Sequence, residues 1–457
     1  MIGPSGVRAR PHPWWTPVRL LLAAAVVASL VTVLRSVPCA TGDDAAWWDP
    51  PRDQTLLCAN DLPRDYVDLG LAEGVLPLAD EGGRHQPSDL SAPVATLAWG
   101  TAAVARTLRG GDTAGRDDVP LETLSERPDV RGEALAYTAL ATLLQLLAFW
   151  LVVALVARVV RREEAAERSV LGGGRGPLVP SRLWWLAAPP VLVVGGLAGW
   201  SMVPVALAVA GFVAWRSRRP VLAGVLCGVA LASAGLALAV LVALVAVVLR
   251  VAGAVATRVL ASTFVTWIVL TTAAFVLTGG ESSAALTQAL TAGRGPRTTW
   301  GLLAAVGVSP EPGRVGLLSA VGWLLVLVLV VGLGQVRRWS IDPAALVVVS
   351  LAGLVTVSTV DLPAQGLWLL PFVVLAHRGP TAVRDIGLWQ LAEVLAHLTG
   401  AWQAAGATVA IDGSDPLAVV GLLLRLAATW WIAWRVVRAS TRDDRPARLP
   451  ADQPVVS

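Results

Sequence analysis

The 457-residue sequence predicts an all-α, polytopic membrane protein with about twelve (eleven to thirteen) transmembrane helices and one large first extracytoplasmic loop. Three observations predict it. The chain is 55% hydrophobic and only 15% charged, with mean hydropathy +0.65, whereas soluble domains carry about 25% charged residues. Its roughly 250 apolar residues, at about 20 per membrane helix, supply roughly a dozen spans. The arginines gather at alternate ends of the apolar runs, as cytoplasmic loops require. These features exclude a soluble enzyme and a singly anchored protein. They also exclude an outer-membrane barrel, whose strands alternate rather than run solidly apolar.

Lysine is absent, so all 36 basic residues are arginine, and the only asparagine is Asn60. Both amino acids have AT-rich codons, which makes a GC-rich genome the simplest cause. The basic pI of 9.6 is therefore a topology signal and not one for nucleic acid.

The first apolar run, about 17–37, follows Arg8, Arg10 and Arg19 and lacks a small-x-small cleavage pattern. It reads as a retained first helix with the N-terminus inside. Residues 38–132 then lie outside, and they hold 17 Asp/Glu against 8 Arg. Within them, about Ala92–Leu108 forms an apolar helix at the outer interface, interrupted by Gly100. The second span, about 134–158, ends in Arg158, Arg161 and Arg162. Further spans are expected near 183–199, 201–215, 220–235, 236–249, 258–278, 316–334, 343–357, 364–377, 386–401 and 416–434. The 220–249 run is either one long helix or two bent halves. Residues 1–439 form one membrane domain with both termini cytoplasmic. The charged, Pro-containing tail 440–457 is expected to be disordered. Outside, only 38–132 and 279–315 are long enough to do chemistry.

The outer loop reads Cys39…Cys58-Ala59-Asn60-Asp61-Leu62-Pro63-Arg64-Asp65-Tyr66, then Gly70-Leu71-Ala72-Glu73-Gly74-Val75-Leu76-Pro77. Cys39 and Cys58 either form a disulfide, removing about 3 kcal/mol of loop entropy from the unfolded state, or remain free thiols. Cys227 reads as packing. Glu393 and His397, four apart on one helix face, are the notable intramembrane polar pair. Their plain reading is mutual satisfaction at a helix contact, the sharper one a proton-coupled site. Two such groups are too few for a metal site. Phosphate-loop and His-Glu-x-x-His zinc motifs are absent.

The string Cys-x-x-Asp-Leu-Pro-x-x-Tyr at 58–66, with Gly-Leu-Ala-Glu-Gly-x-x-Pro at 70–77, resembles the first outer loop of glycosyltransferase family 87. These are GT-C enzymes similar to polyprenyl-phosphate-mannose-dependent mannosyltransferases. Scattered similarity continues at Trp200, Arg219-Pro220…Ala223-Gly224, Arg294-Gly295 with Trp300-Gly301, Leu367–Pro371, and Arg384-Asp385…Trp389-Gln390. The resemblance implies a GT-C-like fold and inverting transfer of a hexose, mannose in the resembled enzymes. The donor would be a polyprenyl-phosphate sugar and the acceptor an envelope glycolipid or glycan. No cofactor is implied beyond that co-substrate. Asp61 would be the catalytic base, Tyr66 would shape the acceptor site, and Arg294 would contact the donor phosphate, with Asp65 and Trp300 also counted among the substrate-binding residues. Asp65 and Asp89 are possible auxiliary acids.

The sequence departs from the family at polar positions. Gly199 and Ser201 stand where the family's Asn-Trp-Asp turn has its polar residues, and Ala234 and Thr359 stand where it has lysines. Two other readings therefore accompany the enzyme: a non-catalytic GT-C-like scaffold that binds lipid or a partner enzyme, and a transporter. Against the transporter stands the lack of any internal repeat.

Overall fold

The computed structural model describes residues 16–40, 58, 60–78, 84–85, 90–171, 180–195, 199–251, 253–278, 298–305, 307–308, 311–336, 341–359, 365–404 and 416–442. All regular structure among them is helical. In chain order the helices are α1 (Pro17–Ala40), α2 (Leu62–Asp68), α3 (Ala92–Arg109), α4 (Leu121–Glu126), α5 (Pro128–Leu171), α6 (Leu183–Ala187), α7 (Pro190–Gly195), α8 (Met202–Arg216), α9 (Pro220–Ser233) and α10 (Leu238–Val251). They continue as α11 (Gly253–Leu277), α12 (Thr299–Ala305), α13 (Pro312–Gln335), α14 (Pro343–Val357), α15 (Gln365–Ala376), α16 (Ala382–Ala404) and α17 (Pro416–Arg442).

Among the described residues, five helices are long and apolar enough to cross a membrane: α1, α5, α11, α13 and α17. The chain is thus a helical membrane protein. Six apolar stretches are shorter: 183–195, α8, α9, 235–249, α14 and α15. The expected 183–199 span divides at Pro189-Pro190, because proline disfavours helix in the residue before it. The 220–249 run is two helices. Ala234 is extended between them (φ −162°, ψ 130°), and the Ser233 carbonyl there accepts a hydrogen bond from Ser91 Oγ at 2.7 Å. Gly100 does not interrupt the helix expected at 92–108, since α3 is continuous through it.

Burial sorts the helices into layers. Every residue of α15, and α14 from Ala344 to Leu354, is buried. A helix apolar all round belongs in the middle of a bundle. By contrast, α11 and α13 bury only 17% and 22% of their apolar windows. Their Phe264, Val269, Leu325 and Val328 side chains face outward, as lipid-facing helices must.

Helix α5 joins two polar ends. Its Glu133 and Glu163 are thirty residues apart in sequence, or about 45 Å along the axis. Around Glu163 sits an ionic layer. Arg216 bonds both Glu163 and Asp342, the latter at 2.8 Å, and Arg378 bonds Glu163 at 3.0 Å and Asp342 at 3.1 Å. Asp342 also caps α14 through the Ala344 N–H. Nearby, buried Asp385 accepts from Arg435, Thr381 and Arg384 and pairs with His377 at 3.0 Å. Asp385 sits in the first turn of α16, and from there it binds α17 to the α15–α16 turn.

Candidate functional site

At the other end of α5, the described residues between α1 and α5 fold into a small core of their own. Leu62, Tyr66, Val67, Leu71 and Ala72 pack on Val94, Ala98, Ala102 and Ala105 of α3 and on Val130, Ala134, Tyr137 and Ala141 of α5. The α3 positions recur every three or four residues, so one helix face is consumed. Its other face leaves Trp99, Val104 and Leu108 exposed. Left-handed Gly110 (φ 68°) ends the helix, a conformation that suits glycine.

Cys39, in the last turn of α1, is disulfide-bonded to Cys58, with Cα atoms 6.1 Å apart. Two residues on, Asn60 Oδ1 accepts the Leu62 N–H at 3.1 Å, the side-chain-to-backbone turn that asparagine favours. This turn starts α2 with Asp61 at its N-cap, although the Asp61 carboxylate caps nothing. The Asp61 side chain is 59% exposed, and Arg64 Nη2 lies 3.6 Å from its Oδ1. Asp65 and Asp68 are half-buried by comparison, and burial raises the Asp68 pKa above the usual carboxylate value.

Tyr66 points inward. Its hydroxyl donates to Glu133 Oε2 at 2.7 Å. Arg116 grips the same carboxylate with two bonds, Nη1 to Oε2 at 2.7 Å and Nη2 to Oε1 at 2.8 Å, and donates to the Ala72 carbonyl at 2.8 Å. Arg116 and Glu133 are each 1% exposed. Burial first, and then the Glu133 carboxylate, push the Tyr66 pKa up. The hydrogen bond to Glu133 raises the Arg116 pKa. Tyr66 and Tyr137, the only tyrosines in the chain, lie with ring centroids 5.4 Å apart, and Trp200 Nε1 donates to the Tyr137 hydroxyl at 3.1 Å.

The Gly70–Gly74 block makes a tight turn, with both glycines left-handed (φ 74° and 84°). A Cβ on Gly70 would lie 2.9 Å from the His85 ring, so glycine is needed there twice over. Glu73 collects Arg84 at 2.9 Å and His85 at 3.2 Å. Arg84 also donates to the carbonyls of Arg116 and Val119. The block that resembles a family motif thus supplies Tyr66, Gly70 and Glu73 as internal fastenings. Asp61 is turned outward.

Other candidates lie elsewhere. Trp300, in α12, donates through Nε1 to the Val357 carbonyl at 3.1 Å and so fastens the end of α14. Arg294 and Asp89 lie outside the described residues. Glu393 and His397 do share a helix, but the Glu393 carboxylate takes its bonds from α17: Arg425 Nε at 3.1 Å and Thr429 Oγ1 at 3.5 Å. His397 Nδ1 instead lies 3.3 Å from the Glu393 carbonyl. A small recess beside this pair is lined by Thr298, Thr299, Gln365 and Arg425. Arg425 went unread in the sequence, although it is the only charge in the apolar run 416–434. The Arg116–Glu133 pair carried no sequence signal either, since it joins one of the loop's many charges to an acid just beyond it.

At the departures from the family, Ala234 packs partly buried against the main core, and Thr359 is buried. The Ser201 hydroxyl is buried with no hydrogen-bond partner among the described residues. No group of three His, Cys, Asp or Glu side chains converges on a metal site among the described residues. No protein-family model matches the chain. No curated protein matches it significantly.

Proposed function

We propose that this chain is a GT-C-like glycosyltransferase of the cell membrane with twelve spans: the five long helices, the six shorter apolar stretches and α16. Both termini and the ionic layer around Glu163 face the cytoplasm, and the loop 38–132 faces out. It transfers a hexose, mannose being the first candidate, from a polyprenyl-phosphate donor to an envelope glycolipid or glycan.

One observation carries this reading. In the block 58–74, Asn60, Tyr66 and Glu73 are consumed in internal bonds, while Asp61 keeps its carboxylate at the surface on a disulfide-anchored turn. An acceptor hydroxyl is a poor nucleophile until a positioned carboxylate takes its proton, and Asp61 is the acid left available for that step. Asp65 would border the acceptor site. Arg294 would support the charge that develops on the leaving phosphate, with Trp300 and membrane lipid flanking the donor. The experiment is sugar transfer from a polyprenyl-phosphate hexose in membranes carrying wild-type or Asp61→Asn protein.

A second reading, a non-catalytic scaffold that binds lipid or a partner enzyme, is favoured by the apolar packing at Ala234, where the family has a lysine. On that reading Asp61→Asn leaves the cellular phenotype unchanged, while Cys39→Ser with Cys58→Ser abolishes it.

A further inference from the structure

Among the described residues, the ionic end of the bundle holds more arginines than its acids engage. The acids whose side chains are described there, Glu163, Glu164, Asp342 and Asp385, are held by Arg182, Arg216, Arg378, Arg384 and Arg435. Just past Arg216, where α8 turns into α9, Arg218 and Arg219 are exposed. Arg218 is the only non-glycine residue with a left-handed backbone (φ 60°) among the described residues. An arginine there carries a Cβ penalty that glycine would avoid, and such outliers gather at functional positions.

Helix α11 brings a third arginine to the same corner. Gly224 of α9 faces the Val259 carbonyl and Ser262, and Gly228, one turn on, faces the Thr263 carbonyl and Thr266. The two helices therefore run in the same direction with matched register. That register sets exposed Arg258 within about one helical turn of Arg219. Beyond the arginines, toward the membrane, both helices present exposed apolar side chains, Val221 and Val225 on α9 and Phe264 on α11.

We infer that this corner, formed by Arg218, Arg219 and Arg258 above the α9–α11 wall, binds the phosphate headgroup of an anionic phospholipid. The acyl chains lie against the apolar side chains. Basic pockets between helices at a membrane surface recognise such headgroups, and among the described residues no carboxylate pairs with Arg218, Arg219 or Arg258. The inference is independent of the glycosyl-transfer reading.

The test uses full-length protein in nanodiscs or micelles, titrated with phosphatidylglycerol or phosphatidylcholine and read by native mass spectrometry. Phosphatidylglycerol should bind at least about tenfold tighter than phosphatidylcholine, and R218G/R219Q/R258Q should lose about that preference. Arg218→Gly keeps the left-handed turn, and Arg258→Gln alone gives a second, milder reading in the same direction. A control triple, R158Q/R161Q/R162Q, removes three exposed arginines from the same end and should retain the lipid. Millimolar inorganic phosphate should not displace it. Equal binding of the two lipids, equal loss in the control triple, or displacement by free phosphate would each overturn the inference.

Discussion

Replacing Glu133 with alanine should release the segment 62–78 from the bundle. The Glu133 carboxylate takes three bonds of 2.7–2.8 Å, two from Arg116 and one from Tyr66, with both charged partners 1% exposed. Its removal leaves buried Arg116 with only the half-exposed Asp129, 3.4 Å away, as counter-charge and the Tyr66 hydroxyl without its acceptor. Breaking a buried ion pair from one side costs about 3–5 kcal/mol. The stranded hydroxyl adds to that cost, although the two do not simply sum. At about 1.4 kcal/mol per tenfold, the open population of the loop should rise by roughly two to nearly four orders of magnitude. Hydrogen exchange of the detergent-solubilised protein reads this directly, since amides of 62–78 should lose protection while those of α14 and α15 keep it. Tyr66→Phe removes one bond to a charged group and should cost about 1.5–3 kcal/mol in the same peptides. If Glu133→Ala changed exchange in 62–78 by only a few-fold, the Arg116–Glu133–Tyr66 hub would not be what holds the loop.

Other substitutions extend the test. Gly111→Ala would set a Cβ 1.7 Å from Glu133 Oε1 and should reproduce the Glu133→Ala exchange pattern. Glu393→Ala or Arg425→Ala should each lower the melting temperature in detergent by breaking a buried pair worth about 3–5 kcal/mol when cut from one side. The double change Glu393→Leu with Arg425→Leu should recover much of that loss, because both charges leave together. Blocking Cys39–Cys58 with paired serines should raise protease sensitivity between α1 and α2 while leaving the helical content intact.

The helices were legible because apolar runs and arginine punctuation are local. The expected span 343–357 matches α14 in full, and 364–377 exceeds α15 by one residue at each end. Helix α5 was not legible in its full length. Its polar continuation from Arg158 to Leu171 is too charged for hydropathy to mark, and part of what holds it is long-range, through Glu163 and Glu164 to Arg216, Arg378 and Arg182. The partners of buried charges were least legible. The i,i+4 spacing suggested Glu393 with His397, yet the carboxylate reaches across to α17, a contact that spacing within one helix cannot express. For Arg425 a signal existed, a lone arginine in an apolar run, where intramembrane charge is expensive unless paired. For Arg116 there was none, since the 17 acids of 38–132 offered many pairings and the partner that folding selects, Glu133, lies just beyond them. At Asp61 the motif marked the residue, and the structure supplied what the motif lacked, namely that its polar neighbours are engaged inward.

Sugar transfer by membranes containing Asp61→Asn protein tests the central claim most directly. Wild-type membranes should move a labelled hexose from a polyprenyl-phosphate donor to a lipid or glycan acceptor. Asp61→Asn should lower that rate by about 10²–10⁴-fold, the usual contribution of a general base, with expression and melting temperature unchanged because the side chain is exposed. Wild-type membranes that consume no polyprenyl-phosphate sugar, or an Asp61→Asn protein that transfers at the wild-type rate, would contradict it.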